Sequence, residues 1–195
     1  MKIDGKFQEI SKIAASNTSN ALSKLIDSQV SIEMTHTGVK KVGDLNPIIS
    51  PEEITAGIYL PITGDIKGSA LLIFPKESAF ILCDLLVKRE PGTTRKLSGL
   101  DKSALKEVGN ILSGNYLAVL SNMMNIKITE HVPSFSFDMF GAVISQIITK
   151  FAQKAEEALV IELEFVFKPA TLKGYFLLLL EIEEINKILE LLGSQ

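Results

Sequence analysis

The same order of secondary-structure elements is predicted twice along the chain, and this repeat most constrains the fold. Each half reads as a helix, a strand, an insertion, two strands and a helix. The first helices of the two halves also match at a spacing of 98 positions, where Glu9, Ile13, Asn17, Leu22 and Ser23 correspond to Glu107, Ile111, Asn115, Leu120 and Ser121. Because each half can bury only one face, we expect a single domain, residues 1–195, in which two pseudo-symmetric halves (about 1–92 and 97–195) share a core.

Hydrophobic periodicity predicts the bounds of these elements. Helices are predicted at 4–26 (with Asp4 as a candidate cap), Lys76–Lys88, 98–123, Met139–Ala158 and Glu183–Leu192. Strands are predicted at Val30–Thr35, Val39–Val42, Thr55–Pro61, Ser69–Phe74, Ile126–Val132, Leu159–Phe167 and Leu172–Glu181. Residues Glu90–Lys96, which include Pro-Gly-Thr-Thr-Arg, are predicted as the linker between the halves. The predicted fold class is α/β, with a mostly antiparallel central sheet packed against two long helices.

Composition and charge exclude several classes of protein. Apolar residues make up 46% of the 195 and charged residues 22%, which is typical of a globular protein. The formal net charge of −3, without a basic block, argues against a nucleic-acid-binding protein. Apolar runs fall far short of the roughly 20 residues that a membrane span needs, and no secretory leader is expected. With Cys83 as its single cysteine, expected to be buried and unreactive, the protein is predicted to be cytoplasmic and not inserted in a membrane.

The helix predicted at 98–123 carries the candidate site. Ser98 is predicted to cap this helix, with Asp101 completing a capping box. Apolar residues at helical spacing predict a buried stripe of Leu105, Val108, Leu112, Tyr116, Val119 and Met123. At about 100° per residue the opposite face carries Ser103, Glu107, Asn110, Gly114 and Ser121. An ordinary solvated face and a functional surface both fit this pattern, and a glycine in it would let a partner approach the backbone closely.

The spacing of four residues favours the functional alternative. Ser103, Glu107, Asn110 and Pro133 stand as Ser-x3-Glu-x2-Asn-x22-Pro. This pattern resembles the signature of the CheC/CheX/FliY family of chemotaxis phosphatases, in which the first position is Asp or Ser. The sequence EVGNI around the Glu-Asn pair and the segment PITGDIKGSALLIF at 61–74 are also similar to this family. The resemblance extends from Glu9 to the end of the chain.

The resemblance implies a phosphatase that hydrolyses the aspartyl phosphate of a CheY-type response regulator. By the same resemblance, Asn110 would position the attacking water and Glu107 would pair with a lysine of the partner. Ser103 would make a lesser contact, and Pro133 would shape the end of the strand that follows the helix. No cofactor or metal site of its own is implied, because magnesium is expected to come with the phosphorylated partner. The alternative is a non-catalytic binding module for a response regulator or for the receptor deamidase CheD.

Other kinds of site have weaker support in the sequence. His36 and His131 are far apart, and neither has a Cys or an acidic cluster at metal-ligand spacing. No Gly-x-Ser-x-Gly elbow of a serine hydrolase occurs. Residues Thr63–Gly68 contain two glycines but lack the Gly-Lys-Ser/Thr ending of a phosphate-binding loop, so they are predicted to form a hairpin turn.

The first half has lost most of the motif. It keeps Glu9 at the position of Glu107. At the other three positions it has Gly5, Lys12 and Thr35 in place of Ser103, Asn110 and Pro133. A lysine side chain donates hydrogen bonds but accepts none, so it does not replace an amide. We therefore predict one site, in the second half.

Overall fold

The structure is a computed structural model that describes residues 5–41, 49–151, 157–167 and 170–193. Within these ranges the helices are α1 (Gly5–Ile26), α2 (Lys76–Leu86), α3 (Gly99–Met124), α4 (Phe140–Phe151) and α5 (Ile182–Gly193). The strands are β1 (Val30–Lys41), β2 (Ile54–Gly64), β3 (Gly68–Pro75), β4 (Ile128–Glu130), β5 (Ser134–Met139), β6 (Glu157–Phe167) and β7 (Ala170–Leu180). Asp4, the predicted cap of α1, lies outside the described residues.

The first strand of the chain is longer than predicted. Val30–Thr35 and Val39–Val42, predicted as two strands, are one strand, β1, as far as Lys41; Val42 lies outside the described residues. The pairing of β1 with β6 shifts register between Met34 and His36. Such a bulge interrupts the inward–outward alternation of side chains, which explains why the sequence pattern reads as two pieces.

The segment after α3 differs most from the prediction. The strand predicted at Ile126–Val132 is only three residues long (β4), and β5 lies where no strand is predicted. Both strands pair with β2, and the break between them contains Pro133 and lies opposite Pro61. Prolines lack the N–H that a sheet ladder requires, so two of them here interrupt the pairing. The helix predicted at Met139–Ala158 begins at Phe140 and is described to Phe151, while residues 157 and 158 belong to β6.

The strands form one sheet whose described pairings are all antiparallel, which confirms the predicted fold class. The strand order is β1-β6-β7-β3-β2, with β4 and β5 both paired to the outer side of β2. This order reads the same from either end when β1 is matched with β4, β2 with β6, and β3 with β7. The first strand of each half thus borders the hairpin of the other half. Superposition of the two halves about an internal axis stays a prediction.

The two long helices end in the same way. Each is followed by a residue in the left-handed region, Asp27 with φ 58° and Asn125 with φ 52°. These two residues are 98 positions apart, the spacing found in the sequence. In both turns an amide donates to the carbonyl of the serine five residues earlier, Ser28 to Ser23 at 3.2 Å and Ile126 to Ser121 at 3.1 Å. This 6→1 bond is the usual way to satisfy the last carbonyls of a helix.

The two faces of the sheet are covered differently. On one face α1 and α3 lie side by side over the larger core, and the Ser11 hydroxyl and the Tyr116 phenol are hydrogen-bonded between them at 3.0 Å. On the other face α4 covers a smaller cluster through Phe140 and Val143. Successive residues of β7 alternate between the clusters, Leu177 in the smaller and Leu178 in the larger. The helix that carries the motif is therefore packed on its inner side and open on its outer side.

Candidate functional site

A buried charged network fixes the start of α3. The Ser98 hydroxyl accepts from the Asp101 N–H at 3.3 Å, and the Asp101 carboxylate accepts from the Ser98 N–H at 2.7 Å, which confirms the predicted capping box. Arg89 donates to the same carboxylate at 2.6 Å. Burial alone would raise the pKa of Asp101, but the hydrogen bonds from Ser98 and Arg89 more than offset it and hold the pKa below its ordinary value.

The predicted linker Glu90–Lys96 lies between α2 and α3 and is held by hydrogen bonds. The buried carboxylate of Asp84, on α2, accepts from the N–H groups of Gly92, Thr93 and Thr94 and from both threonine hydroxyls. Burial would raise the pKa of Asp84, and the hydrogen bonds from Thr94 and Thr93 outweigh it and lower the pKa. Arg89 donates both to the Thr94 hydroxyl and to Asp101, each at 2.6 Å, so the loop links α2 to the cap of α3.

Glu107 and Asn110 lie next to each other on the outer side of α3. The Asn110 Nδ2 is 3.4 Å from the Glu107 Oε2, a long hydrogen bond. Glu107 is exposed and Asn110 is half-buried, so Asn110 is less open than its predicted position implies. Ser103 is exposed one turn earlier, but its hydroxyl donates to the Gly99 carbonyl at 3.0 Å. The structure thus brings Glu107 and Asn110 together and leaves Ser103 bonded to its own helix.

Gly109 allows α3 to approach the sheet closely. A Cβ added at this position would lie 2.6 Å from the Cγ2 of Ile58, a fully buried residue in the middle of β2. A side chain at position 109 would therefore overlap Ile58 unless one of the two elements moved. The helix is in contact with β2 at the residue immediately before Asn110.

Glu130 is a candidate site residue that the sequence reasoning missed. It is the last residue of β4, and its Oε2 lies 2.7 Å from the Ser113 hydroxyl, whose single proton is shared between this carboxylate and the Gly109 carbonyl, also at 2.7 Å. Its Oε1 lies 3.1 Å from where a Cβ at Gly114 would be. The Glu130 carboxylate therefore lies against part of Gly114, which is half-exposed, and close approach of a partner to this glycine stays a prediction. Ser121, also predicted on the outer face, donates to the Ile126 carbonyl and belongs to the end of the helix.

Pro133, the distal motif position, is half-buried in the connection between β4 and β5. Beside it, the His131 N–H donates to the Pro61 carbonyl at 3.0 Å, and the His131 Nε2 is 2.8 Å from the Thr63 hydroxyl. The proline therefore lies on the segment that leads from Glu130 to β5. This segment lies near α3 because it directly follows β4, the strand whose last residue contacts the helix.

The corresponding positions of the first half look different. Glu9 and Lys12 are both exposed on α1. A groove of about 480 Å³ lies beside Lys12, between α1 and β1. At the spacing of 98 positions, Ala15, Ser16 and Ile32 stand in place of Ser113, Gly114 and Glu130. Ile32 is buried and apolar, so no carboxylate reaches over α1 from that strand position.

Other candidate chemistries find little in the described ranges. No group of three or more His, Cys, Asp and Glu side chains there is placed to hold a metal ion. Cys83 is buried, as predicted, and burial raises the pKa of its thiol to about 12. A groove of about 390 Å³ between α4 and strands β2 and β5 includes none of the predicted site residues. Among the helices of these ranges, none is both long enough and apolar enough to cross a bilayer.

Sequence comparison links the segment around the pair to known proteins. The model of the CheC-like family matches residues 100–137, which include Glu107, Asn110 and Pro133. Over 193 residues the chain is 28% identical to the CheY-P phosphatase CheC of Bacillus subtilis (strain 168), covering 96% of this chain and 92% of that protein.

Structural comparison extends the likeness to the whole fold. Thermotoga maritima FliY matches with a TM-score of 0.80 and 19% identity, over 100% of this chain and 99% of that one. A chain of the CheX–CheY–BeF3–Mg²⁺ complex from Borrelia burgdorferi matches with a TM-score of 0.57 and 19% identity, over 92% of this chain and 100% of that one. At these identities the two structures show a shared fold.

Proposed function

We propose, from its sequence similarity to CheC and the fold it shares with FliY and CheX, that this chain hydrolyses the aspartyl phosphate of a CheY-type response regulator. The observation that carries the proposal is the placement of Glu107 and Asn110 side by side on the open face of α3. Both residues fall in the segment that the CheC-like family matches. The name of the Bacillus subtilis relative, a CheY-P phosphatase, supports the same substrate.

Positioning of water is the chemistry that Asn110 fits. An aspartyl phosphate is an acyl phosphate, so the phosphatase needs chiefly to place water in line with the bond that breaks. Water adds to phosphorus, the bond from phosphorus to the aspartyl oxygen breaks, and inorganic phosphate and a free carboxylate result. A side-chain amide both donates and accepts hydrogen bonds, so Asn110 can accept from the water while donating to a second group.

Glu107 would orient the partner. A carboxylate one turn from the water-positioning amide can pair with a cationic side chain beside the phosphorylated aspartate. The hydrogen bond between Glu107 and Asn110 is long, at 3.4 Å, and therefore weak. Breaking it costs little free energy when Glu107 binds the cationic side chain and Asn110 binds the water. Ser103 contributes at most a peripheral contact, because its hydroxyl already donates to its own helix.

The metal ion in this reaction would belong to the partner. The resemblance to the chemotaxis phosphatases implies that the phosphorylated partner brings the metal ion in its own active site. We therefore expect magnesium to enter with the phosphorylated regulator. A cytoplasmic location for both proteins stays a prediction.

The experiment that tests the proposal measures phosphate release from a phosphorylated CheY-type receiver domain. The protein is added in substoichiometric amount, and the receiver alone supplies the rate of spontaneous hydrolysis. Repeated turnover above that rate is the expected result. Stoichiometric binding of the phosphorylated receiver, or of CheD, without faster release would contradict the enzyme and leave the binding module as the function.

A further inference from the structure

Glu130 reaches the candidate site from a different element than the helix that carries the motif. Glu107, Asn110 and Gly114 follow one another at spacings of three and four residues, so they lie along one face of α3. The Glu130 carboxylate lies over Gly114, one turn beyond Asn110. Asn110 is therefore flanked by two carboxylates, Glu107 on one side and Glu130 on the other.

The way Glu130 is held leaves part of its carboxylate available. Its Oε2 accepts from Ser113, a residue with no exposed surface, whereas its Oε1 lies above Gly114, which is half-exposed. A Cβ at Gly114 would be 3.1 Å from that oxygen, tighter than an ordinary contact. The absence of a Cβ at Gly114 therefore lets the carboxylate lie a few tenths of an ångström closer to the helix than a side chain would allow.

The first half of the chain provides an internal comparison. Both halves close the turn after the long helix with the same hydrogen bond and the same left-handed residue. All three residues of the arrangement nevertheless differ there, with Ala15, Ser16 and Ile32 in place of Ser113, Gly114 and Glu130. If the contact of Glu130 with Ser113 and Gly114 served only to stabilise the fold, we would expect an equivalent contact in the first half. It is found in the second half, beside Asn110, and its residues are replaced in the first.

We propose that Glu130 is a second docking carboxylate, which pairs with a cationic side chain of the phosphorylated partner. The inference rests on the proposed function and deepens it. Two carboxylates next to a phosphoryl group would repel it unless each met a positive charge. Glu107 and Glu130 on either side of Asn110 would therefore favour a partner that surrounds its phosphoryl group with cations, and would hold that group opposite the amide.

The substitution Glu130→Gln removes the charge and keeps an oxygen that can accept from Ser113. We expect it to weaken binding of the phosphorylated receiver by about fivefold, as for the loss of one partly exposed ion pair. The KM for dephosphorylation should rise equally, kcat should stay within about twofold, and the salt dependence of binding should be smaller. Glu33→Gln, at an exposed carboxylate on β1, is the matched control and should change none of these quantities.

The substitution Gly114→Ala tests the same carboxylate without altering it. The added Cβ should shift Oε1 by a few tenths of an ångström and raise Kd and KM, but by less than Glu130→Gln does. The double variant should be no worse than Glu130→Gln alone, because both substitutions act on one interaction.

Binding and turnover are measured separately so that the two proposals fail in different ways. Wild-type affinity for the phosphorylated receiver in Glu130→Gln, with Asn110→Ala inactive, would overturn the role of Glu130 and leave the proposed function standing. A fall in kcat at unchanged Kd would also overturn the docking role. Wild-type protein that binds the phosphorylated receiver but never releases phosphate would overturn the proposed function, and the Glu130→Gln affinity would still decide the inference. Absence of binding by the wild type would overturn both.

Discussion

The substitution Gly109→Ala should loosen the contact between the site helix and the sheet. The new Cβ would lie 2.6 Å from the Ile58 Cγ2, about 1 Å closer than an ordinary carbon–carbon contact. Ile58 is fully buried and β-branched, so it has little freedom to move aside. Overpacking of this kind costs about 1–3 kcal/mol, and the better helix propensity of alanine returns about 1 kcal/mol.

The matched control is Gly99→Ala in the first turn of the same helix. No atom lies within 4 Å of a Cβ there, so this substitution should be neutral or slightly stabilising. The difference between the two variants in the free energy of unfolding, measured by urea denaturation with the m-value checked, isolates the contact with Ile58. The net loss of about 0–2 kcal/mol at position 109 and the gain of about 0.4–1 kcal/mol at position 99 together predict that Gly109→Ala is less stable than Gly99→Ala by about 0.4–3 kcal/mol.

The same displacement should reach the chemistry, because Asn110 is the next residue. A shift of about 1 Å in a positioning group can cost on the order of a hundredfold in rate. Equal stability of the two variants would refute the close approach of α3 to β2. A destabilised Gly109→Ala with full phosphatase activity would refute the idea that this contact positions Asn110.

Four further predictions concern the site, the start of its helix and the metal ion. Glu107→Ala should reduce dephosphorylation strongly and Glu9→Ala should barely change it, and equal losses in one assay would mean that the first half also works. Arg89→Met should lower the free energy of unfolding by about 1–3 kcal/mol in thermal or urea denaturation, since Asp101 is almost fully buried and loses a 2.6 Å hydrogen bond. The pKa values of Asp84 and Asp101 are lowered in the folded state. Their contribution to the free energy of unfolding is therefore complete above the ordinary pKa of about 3.9 and is lost as the pH falls through the lower folded values. A urea midpoint that stays unchanged from pH 6 to pH 3 would contradict this. Elemental analysis of the isolated protein should find no stoichiometric metal, and dephosphorylation should stop when a chelator removes magnesium from the receiver; a tightly bound metal would contradict the partner-supplied ion.

The features predicted correctly from the sequence are those set by short-range patterns. The stripe that includes Leu105, Val108 and Leu112 has helical spacing, and those side chains are buried in the structure. The capping box of Ser98 and Asp101 involves residues three apart, so its pattern is complete in four residues. The adjacency of Glu107 and Asn110 follows from helix geometry in the same way.

The features missed depend on contacts between distant segments. The Ser-Phe alternation of β5 is too short to predict a strand. This segment forms a strand because β4 pairs only with Ile62–Gly64 of β2, and β5 pairs with the earlier residues Ile54–Tyr59. Helix periodicity does not show that Gly109 meets Ile58, or that Glu130 reaches over Gly114, since each pair joins a helix to a strand. Gly109 and Gly114 were the available signal of these contacts. Each glycine destabilises the helix by about 1 kcal/mol relative to alanine, so two of them within six residues suggest close packing against other segments.

The central claim is that Asn110 positions the water that hydrolyses the partner's aspartyl phosphate. The most direct measurement is the single-turnover rate of phosphate release from a phosphorylated CheY-type receiver, with Asn110→Ala in saturating excess. The account predicts a loss on the order of a hundredfold or more, as for removal of one preorganised hydrogen-bonding group, with a free energy of unfolding within about 0.5 kcal/mol of wild type. Asn122→Ala, an exposed asparagine on the same helix, should retain the full rate. A wild-type rate in Asn110→Ala, or an equal loss in Asn122→Ala, would contradict the account.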